Sequence, residues 1–307
     1  MREVGAVEGT LLMALLSPLP PARQSPGLSR WLKTITIRAF PAGIQGMQLI
    51  DIGANLTHES FDADRDEVLA RAHEAGVTRM MVTGASAEGS EQALALARAH
   101  PGELWATAGV HPHRASDYND ETDQLLRRLA QEPEVVATGE TGLDYFRNFS
   151  PREDQLRAFE AQLEIGRESG LPLFLHLRDA HEDFHAVLKR VRDGLSDVVV
   201  HCFTGSQEQL HAYLDLDCHI GITGWICDER RGAHMKDYLG DIPADRLMIE
   251  TDAPYLKPRS MRPRVRTHRN EPAWLTWILG TLAACRDEHP AQTAAQTTAN
   301  AERFFRL

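Results

Sequence analysis

Short apolar runs alternate with longer amphipathic segments from Met47 to the end of the chain. The runs are rich in β-branched residues, and one of them, residues 198–200, contains only valine. Continuous apolar runs are typical of strands that are buried on both faces, as the strands of a parallel sheet are. We therefore predict eight strands, over residues 48–53, 78–84, 104–110, 135–139, 172–177, 198–202, 219–223 and 246–251.

Segments with the period of an amphipathic helix lie between these strands. The clearest are residues 64–74, 89–100, 152–169 and 207–214, and residues 270–307 are typical of closing helices. Eight strands, each followed by a helix, predict a single α/β domain over residues 47–307 with the TIM-like (β/α)8 barrel fold. A doubly wound open sheet is the alternative, but the chain has neither the GxGxxG fingerprint nor the P-loop that would favour it.

Residues 1–46 differ in composition from the rest of the chain. They hold a proline cluster between Pro18 and Pro26, and five basic residues against two acidic ones. The glutamates Glu3 and Glu8 are unlike the positive start of a signal peptide. We expect this segment to be a disordered N-terminal extension, or a mis-assigned start that precedes a true start at Met47.

The charge balance of the whole chain is acidic. Its 33 Lys and Arg residues stand against 44 Asp and Glu residues, for a net charge of −11 over 307 residues. This balance excludes a uniformly cationic binder of nucleic acids or membranes, although a local basic patch is compatible with it. The four cysteines form no CxxC pair, and no apolar run approaches the roughly 18 residues of a membrane span. We expect a monomer in the reducing cytoplasm, with no membrane partner.

Polar side chains stand at the carboxyl ends of several predicted strands, where strand propensity does not explain them. They are His111, Glu140, His176, His201 and Asp252, after the third, fourth, fifth, sixth and eighth strands. In a barrel these positions converge on the C-terminal face, where barrel enzymes have their active sites. Neutral imidazoles with carboxylates are a donor set for a divalent metal, and Mg²⁺, Mn²⁺ and Zn²⁺ all fit. The sequence therefore predicts a metal site there.

A metal site in this position predicts a hydrolase. A bound ion lowers the pKa of a water ligand from about 15.7 to about 7, and it also polarises a phosphoryl or carbonyl oxygen. Asp252, after the last strand, is well placed to orient or deprotonate the attacking water, and Glu140 shares the catalytic centre.

The segment after the eighth strand is strongly basic, against the acidic background. This basic strip consists of Lys257, Arg259, Arg262, Arg264, Arg266 and Arg269, with no acidic residue between Asp252 and Glu271. Because arginine forms bidentate pairs with phosphate oxygens, we predict a phosphate-binding surface that also includes Arg178 after the fifth strand. A solvated loop that Pro258 and Pro263 keep extended is the alternative.

Aromatic residues follow the same strand ends. They are Phe146, Phe203, Trp225 and Tyr255. Such rings stack unpaired bases, which favours a single-stranded nucleic acid over a duplex. Ordinary packing at the barrel rim is the alternative interpretation.

Several motifs resemble those of the TatD family of metal-dependent nucleases, within the amidohydrolase-like barrels. The resemblance runs from Met47 to Leu307. Its motifs are Asp51-Ile52-Gly53 with Asn55-Leu56-Thr57, Gly109-Val110-His111-Pro112-His113, Gly139-Glu140 with Gly142-Leu143-Asp144, His176-Leu177-Arg178-Asp179, His201-Cys202-Phe203-Thr204-Gly205, and Glu250-Thr251-Asp252-Ala253-Pro254-Tyr255. Ordered motifs at barrel spacing are far more specific than any one of them.

The resemblance implies a Mg²⁺-dependent exonuclease that acts from the 3′ end of single-stranded DNA, and also on RNA, in DNA repair or nucleic-acid turnover. By motif, it implies that Glu140, His176 and His201 are metal ligands. It implies that Asp252 is the catalytic or metal-binding aspartate of the last strand, and that His111 and His113 contact substrate.

One motif departs from many relatives, which carry His-x-His after the first strand. This chain has Asn55-Leu56-Thr57, whose neutral oxygens are weaker ligands than imidazoles. We therefore expect one firmly bound metal ion, and a second that is weak or arrives with substrate.

Two other functions fit the barrel. A hydrolase of a small amide, ester or lactone would use the same metal site but would not need the basic strip. A binding protein without activity would keep the barrel only as a scaffold. Neutralising Arg262, Arg264 and Arg266 separates a nuclease from a small-molecule hydrolase, because only the nuclease would lose affinity and salt dependence.

Overall fold

The computed structural model of the chain describes residue 46 and residues 48–263 and 265–307. The predicted N-terminal extension therefore lies outside the described residues except for Gly46, as does Arg264 of the basic strip.

Eight parallel strands form one sheet in the order β1 to β8. Their bounds are Leu49–Ala54 (β1), Val77–Val82 (β2), Leu104–Ala108 (β3), Val135–Asp144 (β4), Leu173–Arg178 (β5), Val198–Val200 (β6), His219–Ile222 (β7) and Leu247–Ile249 (β8). The two ends of the sheet meet just beyond β1 and β8. There the Asn55 N–H donates to the Ala253 carbonyl at 2.7 Å, and the Asp252 N–H donates to the Gly53 carbonyl at 2.8 Å. This closure confirms the predicted barrel and excludes the open sheet.

Eight α-helices accompany the strands in the described part of the chain. They are Arg65–Glu74 (α1), Ala87–Ala99 (α2), Asp120–Leu129 (α3), Arg152–Ser169 (α4), His181–Val191 (α5), Gln207–Leu214 (α6), Leu275–Cys285 (α7) and Pro290–Phe305 (α8). No helix in the described residues has the length and apolarity that a membrane span requires.

The prediction that a helix follows every strand is wrong after β7. Three short 3-10 helices occupy this connection in place of an α-helix: Gly224–Cys227, Ala233–Asp237 and Leu239–Asp241. Glycines at 224, 232 and 240 and Pro243 interrupt the segment, and both residue types disfavour a continuous helix. The connection therefore stays irregular, in the position where a barrel carries its site-forming loops.

Strand β4 is longer than predicted, because it continues through Glu140 to Asp144. Its pairing with β5 shifts register between Thr138 and Thr141. Gly139 has a φ of +135°, and a Cβ there would lie 2.2 Å from the Phe174 carbonyl oxygen. The glycine thus lets the strand pass its neighbour closely, and the register shift directs the Glu140 side chain into the barrel mouth.

Alternate residues of the strands pack into two apolar layers. Residues such as Leu49 belong to a large cluster that includes residues of the surrounding helices. Ile50 and Phe174 belong to a smaller cluster, inside the barrel, that also contains Phe304 of α8. The Phe174 ring stacks on the His201 ring, with centroids 4.5 Å apart. The interior core therefore extends directly to the residues at the carboxyl ends of the strands.

Arg269, in the segment after β8, binds the segment after β1 through partly buried ion pairs. Its guanidinium donates to Asp64 at 2.7 Å, to Glu271 at 2.9 Å and to the Ser60 carbonyl at 2.6 Å. It also lies 5.0 Å from the centre of the Phe61 ring. This member of the basic strip is therefore a structural residue.

We expect Arg269→Ala to lower the free energy of unfolding by about 1–2 kcal/mol, because the partly buried carboxylates of Asp64 and Glu271 lose one of their two guanidinium partners and keep only Arg71. Arg266→Ala, at an exposed position of the same strip, is the matched control and should change stability by less than about 0.5 kcal/mol. Urea denaturation measures both. Equal stability of the two variants would contradict the structural role of Arg269.

Candidate active site

A cleft of about 860 Å³ opens at the carboxyl ends of the strands. Residues that end or follow each of the eight strands line it, so that every βα connection contributes. The predicted site residues His111, His113, Glu140, His176, Arg178, His201 and Asp252 all line this cleft. The topology of the barrel thus brings together residues that are far apart in sequence.

Four side chains meet around one oxygen at the bottom of the cleft. Glu140 Oε1 lies 2.8 Å from His201 Nε2, 2.9 Å from His176 Nδ1 and 3.3 Å from His111 Nε2. The His176 Nδ1 atom is also 3.3 Å from His111 Nε2 and 3.4 Å from His201 Nε2. We call these four residues the histidine–glutamate cluster.

The geometry of this cluster fits a metal ion. Atoms that ligate one ion at about 2.1 Å lie about 3.0–3.4 Å apart at octahedral or tetrahedral angles, which is the spacing seen here. His111, Glu140 and His176 form a group whose ligand atoms could hold an ion together. The strand-end pattern predicted that His111 lies near Glu140 at the metal site, whereas the family resemblance implied that His111 contacts substrate.

The ionisation of the cluster also suits metal binding. Burial lowers the pKa of His111 to about 3, so that its imidazole is neutral with a free lone pair at neutral pH. Burial alone would raise the pKa of Glu140, but the charge of His201 and hydrogen bonds from His176 and His201 hold it well below its usual value. The carboxylate is therefore ionised, and a cation would take the place of the protons that it shares with the imidazoles.

Two further buried carboxylates support the cluster from behind. Glu250, which is fully buried, lies with Oε2 3.4 Å from His201 Nδ1, and its Oε1 accepts the Cys202 N–H at 2.5 Å. A Cβ at Gly53 or at Gly221 would lie 2.6 Å from an oxygen of this carboxylate. Glu250 therefore sits between two glycine backbones, where it fixes the orientation of the His201 ring.

Asp144 is the second of these buried carboxylates, and it supports the cluster on the side of His113 and His176. Its Oδ2 lies 2.8 Å from His113 Nε2 and 3.6 Å from His176 Nε2, and its Oδ1 accepts the Arg147 N–H at 2.8 Å. The His176 Nε2 atom is buried and has no hydrogen-bond partner among the described residues. Asp144 and Glu250 were missing from the predicted site, although each stands in a motif that ends a strand.

Asp252 lines the cleft beside the cluster. Its backbone has a φ of +53°, which is uncommon for a non-glycine residue, and its N–H bond to Gly53 holds it there. Its Oδ1 accepts a hydrogen bond from Asn55 Nδ2 at 2.9 Å. Burial, with the charge of Glu140 adding to it, raises the pKa of Asp252 to about 7. Asn55 stands where many relatives carry a histidine after the first strand. Its side-chain amide donates to Asp252 and thereby orients the carboxylate.

The basic strip contributes less to the cleft than the sequence predicted. Arg262 and Arg266 are exposed and do not line the cleft, and Arg264 lies outside the described residues. Lys257 Nζ donates to the carbonyl oxygens of Val265, at 2.7 Å, and Thr267, at 2.5 Å, inside its own loop. The arginines that do line the cleft are Arg114, Arg147, Arg178 and Arg231.

Only some of the predicted aromatic residues line the cleft. Trp225, Tyr255 and Phe149 line the cleft, and Phe149 packs edge-on against His113 with ring centroids 4.7 Å apart. Phe149 and Tyr255 are more than half exposed. The prediction that Phe203 stacks a base is wrong, because this ring is buried and packs against Tyr213. Phe149 was not predicted.

The fold and the site define a barrel of the metal-dependent hydrolase type, with a histidine–glutamate cluster at its C-terminal face. The chain belongs to the TatD related DNase family, whose family model matches residues 50–306.

Several known proteins are similar to it. A relative from Erwinia billingiae, named 3′-5′ ssDNA/RNA exonuclease TatD, is 52% identical over 259 residues, covering 84% of this chain and 99% of that protein. A relative of the same name from Salmonella typhimurium is 50% identical, with the same coverage. Among solved structures, the TatD homologue YJJV from Escherichia coli has a TM-score of 0.77 and 29% identity, covering 84% of this chain and 98% of that one.

We expect Glu250→Gln to weaken binding of Mn²⁺ by about 10–100-fold, because the amide supports the His201 ring less strongly than the carboxylate does. Calorimetric titration measures this affinity directly, without an activity assay. Glu121→Gln, on the exposed face of α3, removes a carboxylate far from the site and is the matched control. Unchanged affinity in a folded Glu250→Gln variant would contradict the role of Glu250.

Proposed function

We propose that this chain is a metal-dependent 3′→5′ exonuclease that hydrolyses the phosphodiester bonds of single-stranded DNA and of RNA. The observation that carries the proposal is the composition of the cleft, in which a histidine–glutamate cluster is surrounded by four arginines and three aromatic rings. The relatives named as 3′-5′ ssDNA/RNA exonucleases, at 50–52% identity, support the same activity and polarity.

The lining of the cleft supports a polyanionic substrate. Arg114, Arg147, Arg178 and Arg231 provide fixed positive charges that pair with phosphate oxygens. The exposed rings of Phe149 and Tyr255 offer stacking surfaces that only unpaired bases can reach. A small amide, ester or lactone has no use for four arginines, so the alternative hydrolase function is not favoured. Intact carboxylates and imidazoles in the cluster likewise speak against a protein without activity.

Glu140, His176 and His201 are the proposed ligands of one firmly held ion, and His111 points its Nε2 at the same position. The resemblance predicts Mg²⁺, and a donor set rich in imidazole also accepts Mn²⁺ or Zn²⁺. Asp252, beside the cluster, is the proposed ligand of a second, weaker ion or the residue that acts on water. When bound, a divalent ion in this cluster supplies charge neutralisation for the scissile phosphate and lowers the pKa of a water molecule.

The side chains of the cleft accept the proton of water, contact the phosphates and position the bases. Asp252 Oδ2 accepts the proton of the attacking water, while Asn55 holds Oδ1 and thereby orients the carboxylate. Glu140 stays ionised among the imidazoles and holds the ion that would neutralise the reacting phosphate, His111 contacts that phosphate, and Arg178 and His113 hold the phosphates next to it. Stacking on the rim aromatics positions the bases, so that one phosphodiester lies over the cluster.

The cellular setting is proposed from weaker observations. All four cysteines are free in the structure, which supports a reducing compartment such as the cytoplasm. Hydrolysis of single strands from a 3′ end supports a role in DNA repair or in nucleic-acid turnover. We propose that the chain acts as a monomer, because one barrel holds the complete site.

We expect the protein with Mg²⁺ to shorten a 5′-labelled, 3′-tailed oligonucleotide from its 3′ end. Chelation of the metal should abolish the reaction, and Glu140→Gln should slow it by more than about 100-fold, because this carboxylate joins the three imidazoles. Product ladders on a sequencing gel report polarity and rate together. No cleavage by folded, metal-loaded protein would overturn the nuclease function, and esters and lactones would then be the substrates to test.

We expect Arg114→Ala with Arg147→Ala to weaken binding of even a trinucleotide, and to reduce the slope of log affinity against log salt by about 1.4, or about 0.7 for each phosphate contact of a single strand, because both side chains line the cleft. Arg262 and Arg266 are exposed outside the lining of the cleft, so the variant with both changed to alanine should weaken only the binding of long strands. Fluorescence anisotropy at several salt concentrations separates the two variants. Equal weakening of trinucleotide binding by both would contradict this division.

A further inference from the structure

Aromatic rings and guanidinium groups alternate at one edge of the cleft, where Arg178, Trp225 and Arg231 line it and Phe146 lies outside them against Arg178. The Arg178 guanidinium lies 4.2 Å from the centre of the Phe146 ring and 5.5 Å from that of Trp225. The Arg231 guanidinium lies 4.6 Å from the same Trp225 ring. We call Phe146, Arg178, Trp225 and Arg231 the arginine–aromatic wall. Cation–π contacts in series of this kind hold side chains from different loops together.

Three separate connections build this wall, after β4, β5 and β7, and hydrogen bonds fix its position. The Trp225 backbone N–H donates to Thr223 Oγ1 at 3.3 Å, and its indole N–H donates to the Arg231 carbonyl at 3.2 Å. The Arg231 guanidinium donates to Asp228 Oδ2 at 3.0 Å. The wall is thus a built feature of the rim and not a set of free side chains.

The charge of the surface reverses beyond the wall. A second cavity, of about 420 Å³, shares Leu177, Arg178 and Thr204 with the cleft, so that Arg178 stands between the two. Its lining includes three acidic residues, Asp179, Glu182 and Asp183, and two arginines, Arg152 and Arg178. Carboxylates outnumber arginines there, whereas arginines outnumber carboxylates in the cleft, so a phosphodiester chain is attracted to the cleft and not to the second cavity.

We propose that the arginine–aromatic wall is the stop that restricts cleavage to the end of a strand. The inference rests on the exonuclease function proposed above. The terminal nucleotide occupies the space between the histidine–glutamate cluster and the wall, and its phosphodiester lies over the cluster. The rest of the strand leaves past Phe149 and His113, away from the wall. An internal phosphodiester has nucleotides on both sides, and the wall leaves no path for the second side.

The experiment compares circular single-stranded DNA with a linear strand of the same sequence that has a free 3′ hydroxyl. The wild-type protein with Mg²⁺ is expected to digest the linear strand and to leave the circle intact. Phe146→Ala with Trp225→Ala removes both rings of the wall, and is expected to raise the ratio of circle nicking to linear digestion by about tenfold or more. Because both rates are measured with the same variant, their ratio measures the restriction to strand ends even where overall activity falls.

Two single variants complete the design. Phe146→Ala truncates a ring that is 56% exposed, so folding tolerates it, and it is expected to raise the same ratio to a smaller extent. Arg152→Ala is the matched control, because Arg152 stacks on Tyr145 at 4.1 Å but lines only the second cavity. This control is expected to leave circles intact.

The outcomes distinguish the stop from the nuclease function. Circles left intact by folded wall variants that still digest linear DNA would overturn the stop alone. Circle nicking by Arg152→Ala to the same extent would also overturn it, since the wall would then have no special role. Failure of the wild-type protein to digest linear DNA would overturn the exonuclease function and the stop together.

Discussion

The site depends on the enclosure of one carboxylate by three imidazoles. Glu140 is almost completely buried, and an ionised carboxylate in such a place is strongly unfavourable unless charges and hydrogen bonds compensate it. His111, His176 and His201 supply that compensation from three different strand ends. A divalent cation would supply it better, so the same constraint that shapes the apoprotein creates affinity for a metal. The barrel makes this possible because closure brings the carboxyl ends of all its strands to one place.

Chemistry and recognition are separated in the cleft. The carboxylates and imidazoles lie at its bottom, whereas the arginines and the exposed rings lie around its mouth. Negative and positive groups would otherwise neutralise each other in pairs, as Arg269 and Asp64 do where the barrel closes. The spatial separation leaves Arg147 and Arg178, which have no ion pair with another described residue, available to a polyanion, while Arg231 pairs with Asp228. It also explains how a chain with a net charge of −11 can present a nucleic-acid surface.

The barrel and the centre of the site were predictable from sequence, because buried parallel strands have continuous apolar runs and their polar termini stand out against them. The extension of β4 past Glu140 was not, since two glycines and a register shift let the strand continue where its composition indicates an end. Charge runs were a poorer guide than strand ends. Lys257 and Arg269 bind partners within the fold, a backbone carbonyl and Asp64 respectively. Arg147, which belongs to no run of basic residues, lines the cleft. Which cations remain free is decided by tertiary contacts that spacing does not encode.

The glycines of β4 have a consequence for mutational tolerance. A Cβ at Gly142, whose φ is +145°, would lie 1.9 Å from the His176 carbonyl oxygen, and Gly139 is similarly enclosed. Neither residue carries a functional group, yet each sets the path of the backbone on which Glu140 and His176 stand. Random mutagenesis should therefore find these two positions as intolerant as the ionisable residues themselves. In directed evolution of this barrel toward other substrates, the rim loops are open to variation, while β4 is a fixed part of the scaffold.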